Sequence, residues 1–257
     1  MNPEHIIIAG AQKCGTTTLF GWLRGHPSVC SAVKRNTAGS DKELLFFGGR
    51  NWRRGFDWYS NQYVKPQLRC IDATPEYLCF PEAPERVARI FPDAKVIVTI
   101  REPVARALSQ FNHYCQELPQ SEKWDWRHPG ATFADNVRAE LDDPFPNWLG
   151  LLGRGLYAQQ LRFWRRFVPE HRMLVVVMEE WMENESQAYR DILRFLELEI
   201  VAPKSLAAKH QRTYHHDEEL SGVIGQLRDF YRQSNEDLFQ LLGREVPAWE
   251  KFSSPGN

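Results

Sequence analysis

Long apolar runs are absent from this 257-residue sequence. The longest clean stretches are IIIAG at 6–10, VIVTI at 96–100 and LVVVM at 174–178, far short of the roughly 20 residues that cross a bilayer. The opening MNPEHIIIAGAQK carries no basic leader, extended apolar segment or small-residue cleavage site. Cysteine is scarce and odd in number (Cys14, Cys30, Cys70, Cys79 and Cys115), with no CxxC pair. That usage fits a reducing compartment better than a secreted disulfide scaffold, so no Cys70–Cys79 bridge is expected. Excess charge of one sign is missing too: 32 Lys+Arg face 33 Asp+Glu, which excludes a uniformly basic nucleic-acid surface. No repeat or low-complexity linker interrupts the chain. The expectation is a soluble, cytoplasmic protein with one domain over residues 1–257, and neither nucleic acid nor membrane as partner.

With 42% apolar and 12% aromatic residues, the chain can bury a sizeable core. Short apolar runs alternate with longer helical patterns, the rhythm of an α/β fold with a parallel sheet. Strands are expected at Ile6–Gly10, Val29–Val33, Arg69–Ala73, Lys95–Ile100 and Met173–Met178. Helices are expected near 15–25, 84–91, 103–117, 153–167, 186–197 and 220–242. Residues 34–62 and 116–150 read as loops or short helices at the sheet's edge. The fold class is therefore α/β, a central parallel sheet of about five strands flanked by helices, resembling P-loop NTPases.

After the first strand comes GAQKCGTTTLFGWL, Gly10 to Leu23. A strand, a loop with Gly10 and Gly15, and a helix opening on Thr16–Thr18 form a cradle for phosphate: backbone N–H groups and the positive helix end face the anion. The triphosphatase pattern GxxxxGK followed by Ser or Thr puts lysine where Thr16 stands. Here the lysine comes earlier, as Lys13, which weakens the case for a magnesium triphosphatase. A Gly/Thr-rich turn capping an ordinary helix, with Lys13 in solvent, reads the same residues without a ligand.

KVIVTIREPVARALSQFNHY, Lys95 to Tyr114, repeats the pattern. An apolar strand ends at Arg101, and Pro103 starts a helix that carries Ser109. Arg101 stands where open parallel sheets bind ligands, with a fork suited to phosphate. Arg106 faces the same groove or solvent. A structural Arg101 pairing Glu102 or a helix end is the bland alternative.

KCGTTTL after a first strand and REPxxRxxSxF after a later one together resemble the sulfotransferases that use 3′-phosphoadenosine 5′-phosphosulfate (PAPS). KELLFF at 42–47 looks like the KExxFF segment of their heparan-sulfate glucosaminyl branch. FDWY (56–59), TPEY (74–77), GLYAQQL (155–161) and FQLLGREVPAW (239–249) extend the likeness over nearly the whole chain. The resemblance implies an enzyme that moves a sulfuryl group from PAPS to a hydroxyl or amine and leaves adenosine 3′,5′-bisphosphate. It assigns Lys13, Cys14, Gly15, Thr16, Thr17 and Thr18 to the 5′ end of the nucleotide and Arg101 and Ser109 to its 3′-phosphate. Glu43 becomes the catalytic base with Lys42 beside it, and Lys13 stabilises the leaving phosphate. Lys209, Arg212 and Tyr214 are candidates for a later loop that wraps the nucleotide. Trp58, Tyr77 and His113 are candidates for touching the acceptor, and His113 is the alternative base. No metal is required, because cationic and N–H donors already hold the leaving group. The heparan-sulfate branch is membrane-anchored and has a late cysteine pair, whereas no cysteine follows Cys115 here. The acceptor, glycan or small molecule, therefore stays open.

Other features admit bland readings. NWRRGFDWY (51–59) is an acceptor rim or an amphipathic segment packing its rings inward. His210, His215 and His216 lack a zinc-like partner spacing, and WDWRHPG (124–130) reads as a turn-rich aromatic segment. The rival function is a nucleotide kinase or triphosphatase, for which Asp72 is the only respectable magnesium ligand. A non-catalytic relic of the fold is the other rival.

Overall fold

Continuous β-branched runs suit strands covered on both faces. In the computed structural model IIIAG forms β1 (Ile6–Gly10) and KVIVTI forms β4 (Lys95–Ile100), with every residue of both buried. β2 (Val29–Ser31), β3 (Arg69–Asp72) and β5 (Met173–Val177) complete a five-stranded sheet in the order β2-β3-β1-β4-β5. All four pairings are parallel. From β1 the chain crosses to β2 at one edge and returns to β3 beside β1, then goes to β4 and β5 on the other side. β1 is thus the strand at which the winding reverses, and its carboxyl end is where open α/β sheets bind ligands. The structure describes residues 5–33, 41–49, 51–65, 67–117, 132–143, 150–203 and 218–252.

Two compact units divide the chain, Met1–Ile100 with Leu161–Gln211 and Arg101–Gln160 with Arg212–Asn257. The first holds the sheet, α1 (Thr16–Arg24), α2 (Gly55–Ser60) and α3 (Ala83–Ile90). On one side of the sheet Ile6, Ile8, Leu19, Trp22, Ile97 and Trp181 form a continuous core, each large apolar side chain contributing about 1.5–3 kcal/mol by leaving water. The second unit centres on α4 (Pro103–Glu117) and α5 (Phe133–Asp142), with Leu108, Val137, Leu151, Leu227 and Tyr231 in its core. Tyr231 and Leu227 lie on a 25-residue helix, Glu218–Leu242.

Where structure and expectation differ, local chemistry explains it. The 153–167 helix is a 3₁₀ turn (Gly153–Gly155) followed by α6 (Tyr157–Trp164). A Cβ on Gly155 would lie 2.7 Å from the Tyr231 hydroxyl, so glycine is needed for that close approach. Met178 leaves the strand to begin α7 (Met178–Glu183). α8 (Glu185–Phe195) starts on Asn184, whose side chain accepts from the Gln187 amide at 3.0 Å. Residues 218–242 close the helical series as α9. Within 116–150, α5 is announced by a capping box in which Thr132 and Asp135 bond each other's amides.

Arg106 corrects its expectation. It faces neither groove nor solvent but is fully buried in the second unit. It donates to Gln110 Oε1 at 2.6 Å and to the Leu151 carbonyl. Beside it the Glu140 carboxylate accepts from the Leu151 and Leu152 amides at 2.7 and 2.8 Å. Burial raises the Glu140 pKa, opposed by those two bonds and by the charges of Arg106 and Arg154. Among the described residues no disulfide joins any of the five cysteines. Cys30 and Cys70 are register partners on β2 and β3, and burial pushes the Cys70 thiol up to about 12. Among the described residues no helix is long and apolar enough to cross a membrane.

Candidate active site

The turn from β1 into α1 is built from left-handed residues, Lys13 at φ 70° and Gly15 at φ 81°. Glycine adopts that region freely, while a lysine there costs about 1–2 kcal/mol. Strain of this kind clusters where a loop must present its backbone to a ligand. The turn is fastened to the end of β4. The Ala11 amide donates to the Thr99 carbonyl at 2.7 Å and the Thr99 hydroxyl to the Cys14 carbonyl at 2.8 Å. Cys14 is buried, its amide bonded to the Ala11 carbonyl at 3.2 Å and its thiol set against the Gln12 carbonyl. These bonds make Cys14 part of the network that shapes the loop.

Gly15 is the N-cap of α1. No side chain caps this end and no acidic residue lies in the first turn, so the helix meets an incoming anion with its positive end unneutralised. Thr16 and Thr18 are buried and Thr17 is exposed. A Cβ on Gly15 would stand 2.5 Å from Cζ2 of Trp181, a ring itself locked in the core. Gly15→Ala should therefore lower stability by about 3 kcal/mol, from left-handed strain plus overpacking, and abolish nucleotide binding. A thermal melt with adenosine bisphosphate titrated in checks both effects.

α4 differs at the same position. Glu102 sits just before it, and its carboxylate accepts from the Val104 amide at 3.0 Å and the Ala105 amide at 2.7 Å. The helix end expected to serve as a second anion cradle is thus occupied by the chain's own anion. Any phosphate there rests on side chains, of which Arg101 is half-buried and Ser109 buried. The Arg101 carbonyl accepts from the Tyr157 hydroxyl at 2.8 Å, fixing the backbone at that point.

KELLFF brings a second lysine to the first loop. Lys42 is buried, with Nζ 3.2 Å from Thr16 Oγ1 and 2.9 Å from Glu43 Oε1. Thr16 occupies the sequence position of the triphosphatase lysine, and Lys42 delivers an ammonium to it from 26 residues away. A cation at a helix N-terminus is disfavoured by the macrodipole, typically by about 0.3–1 kcal/mol, an arrangement that an anionic ligand would relieve. Glu43 is held next to the same helix start, partly open to solvent.

The segment after Glu43 is fastened from below. The Asp72 carboxylate, fully buried, accepts from the Thr74 hydroxyl and the Tyr77 hydroxyl, both at 2.7 Å, and from the Leu44 amide. Thr74 Oγ1 accepts from the Leu45 amide at 3.2 Å and Tyr77 Oη from the Phe46 amide at 2.9 Å. Tyr77 therefore lies beneath the KELLFF loop and not on an acceptor surface, which corrects its expected role. Trp58 is half-buried with the Arg54 guanidinium 5.1 Å over its ring. His113 is half-buried on α4, its ring tilted against Tyr114. Lys209, Arg212, Tyr214, His210, His215, His216 and WDWRHPG lie outside the described residues.

A family model described as "Sulfotransferase domain" matches residues 3–219. The chain belongs to the sulfotransferase family. Mouse heparan sulfate glucosamine 3-O-sulfotransferase 3B1 is 28% identical over 273 residues, covering 96% of this chain and 65% of the relative. The bovine bifunctional heparan sulfate N-deacetylase/N-sulfotransferase 2 is 28% identical over 281 residues, covering 96% of this chain and 30% of the relative. The chain thus spans two thirds or less of these curated relatives. Among solved structures, a sulfotransferase from Alicyclobacillus acidocaldarius shares the fold, with a TM-score of 0.76 at 24% identity over 96% of this chain and 98% of that one. Sulfotransferases of this family take their sulfuryl group from PAPS. The loop after β1 suits such a donor: the first turn of its helix has neither a capping side chain nor an acid of its own, and Lys42 stands against it.

Proposed function

We propose that the protein transfers a sulfuryl group from PAPS to a hydroxyl or amine of a glycan, with Glu43 as general base and Lys13 stabilising the leaving phosphate. The observation that carries this reading is the Lys42–Glu43 pair held against Thr16 at the start of α1. It joins a carboxylate for proton removal to a cationic, N–H-rich helix end in one place. PAPS supplies a sulfuryl group already activated on a phosphate leaving group. Lys13, Gly15 and Thr16–Thr18 would hold its 5′ end, Arg101 and Ser109 its 3′-phosphate, and Lys209, Arg212 and Tyr214 would complete the nucleotide's surroundings.

Three contributions follow from these residues. Holding donor and acceptor in line removes several kcal/mol of the barrier, of the order seen for well-oriented reactions. Lys13 and the α1 N-terminus face the charge that builds on the departing oxygen. Glu43 removes the acceptor proton, a step typically worth about 10²–10⁴-fold. Lys42 keeps the carboxylate from swinging away between turnovers.

The glycan class rests on relatives named for heparan sulfate, with small hydroxylated metabolites as the other acceptor class. The kinase reading loses its magnesium ligand: Asp72 is fully buried, and its carboxylate is already bonded by Thr74, Tyr77 and Leu44. Incubation with radiolabelled sulfate donor and a panel of glycans, phenols and hydroxylated metabolites tests the proposal. Label should appear in a glycan. No transfer to any acceptor, combined with magnesium-dependent ATP turnover, would overturn the reading.

A further inference from the structure

Asp72 sits at the carboxyl end of β3, beside β1 in the sheet, where Ile7 and Asp72 are register partners. A carboxylate with no solvent exposure is expensive unless every lone pair is used. Here the users are arranged in series. Asp72 takes the Leu44 amide directly. Through Thr74 Oγ1 it reaches the Leu45 amide, and through Tyr77 Oη the Phe46 amide. Three consecutive N–H groups that follow Glu43 are thus referred to one buried carboxyl group.

The opposite side of the segment is secured as well. Asn51 donates from Nδ2 to the Leu44 carbonyl at 2.8 Å and from its amide to the Leu45 carbonyl at 3.0 Å. The Lys42 carbonyl accepts from the Ala73 amide at 3.1 Å, the residue after Asp72. Leu45 is held at φ 50°, a left-handed conformation that a leucine keeps only when its surroundings impose it. So much hydrogen bonding around an irregular buried segment is more than closing a loop demands. It sets where the segment passes the carboxyl end of β3, and hence where the adjoining Lys42 and Glu43 stand relative to Thr16.

We propose that Asp72 is a positioning residue for the general base: acting through Thr74, Tyr77 and the Leu44–Phe46 amides, it fixes the backbone that aims Glu43. The inference rests on the sulfuryl-transfer reading for what Glu43 does, but the clamp itself is a property of the chain. It assigns Asp72 neither magnesium nor acceptor. It also gives TPEY a role, with Thr74 and Tyr77 as the two relays.

The test has two arms on the full chain. In hydrogen exchange, Asp72→Asn should lose at least tenfold in protection at the Leu44, Leu45 and Phe46 amides, while β1 and β4 stay protected. Tyr77→Phe, a milder change should Asp72→Asn fold poorly, should lose protection at Phe46. This arm reads the clamp whether or not any acceptor is found. If wild type transfers nothing, the functional reading fails and the clamp is still judged. In turnover, Asp72→Asn should lower kcat about tenfold to a hundredfold, as expected for slight misplacement of a reacting group, with affinity for adenosine 3′,5′-bisphosphate within twofold. Combined with Glu43→Gln it should cost little beyond Glu43→Gln alone, because both act through one group. A general loss of stability would instead lower both backgrounds equally. Unchanged protection at the three amides overturns the inference, and so do fully additive losses.

Discussion

Glu43→Gln is expected to lower kcat by about 100- to 10,000-fold while leaving the affinity for adenosine 3′,5′-bisphosphate within a few-fold. The range is that of a positioned general base. The asymmetry follows from where Glu43 stands: it accepts from Lys42 at 2.9 Å, and Lys42 in turn reaches Thr16. Glutamine keeps the shape and can still accept a bond from Lys42, so the loop and its cation stay in place while proton removal is lost. Rapid-quench turnover and calorimetry on the same preparation separate the two. A variant with near-wild-type kcat would remove Glu43 as the base, and one that lost nucleotide binding as well would mean that the pair builds the phosphate cradle instead.

The second large effect is on stability. Burial pushes the Asp72 carboxyl up to about 7 from an ordinary 3.8, against the lowering effect of the bonds from Tyr77, Thr74 and Leu44. The neighbouring Glu43 charge raises it further, and the buried phenols of Tyr77, Tyr59 and Tyr63, each raised well above its usual range chiefly by burial, feel the Asp72 charge in turn. With the folded value raised, the folded state binds the extra proton between the two values. This group's stabilising contribution is therefore complete below about pH 4 and is lost as pH rises toward 7. At about 1.4 kcal/mol for each pH unit between them, the total is on the order of 4 kcal/mol. Denaturant melts of wild type and Asp72→Asn should thus converge or cross as pH rises from 4 to 7.5, because the variant lacks this slope. Parallel curves would mean that Asp72 does not titrate in that window.

Much of this was legible in the sequence, for physical reasons that differ by element. β1 and β4 have continuous apolar runs that only a doubly covered strand tolerates, and both match the expected bounds residue for residue. The end of β5 was harder, since nothing in VVVMEE marks where strand becomes helix until backbone bonding decides at Met178. The phosphate loop was visible because its function depends on local order: strand, glycine, threonines, helix. Lys42's bond to Thr16 joins residues 26 apart, a meeting that the folded placement of KELLFF at the carboxyl end of β3 creates. For Asp72 the clue was present in the D-x-T-x-x-Y spacing, which places two hydroxyls in reach of one carboxylate. Reading it required knowing that the side chain points inward. Glu102 was similarly exposed to inspection, an acid directly before Pro103 at a helix start, yet the arginine beside it drew the functional reading.

Calorimetric titration of adenosine 3′,5′-bisphosphate into wild type, Lys13→Ala and Arg101→Ala tests the claim on which the account depends, that the loop after β1 and the residues after β4 hold this nucleotide. Wild type should bind, and each substitution should weaken binding about tenfold to a hundredfold, the loss of one charge-assisted hydrogen bond of about 1.5–3 kcal/mol. Wild-type affinity retained in both variants would contradict the account.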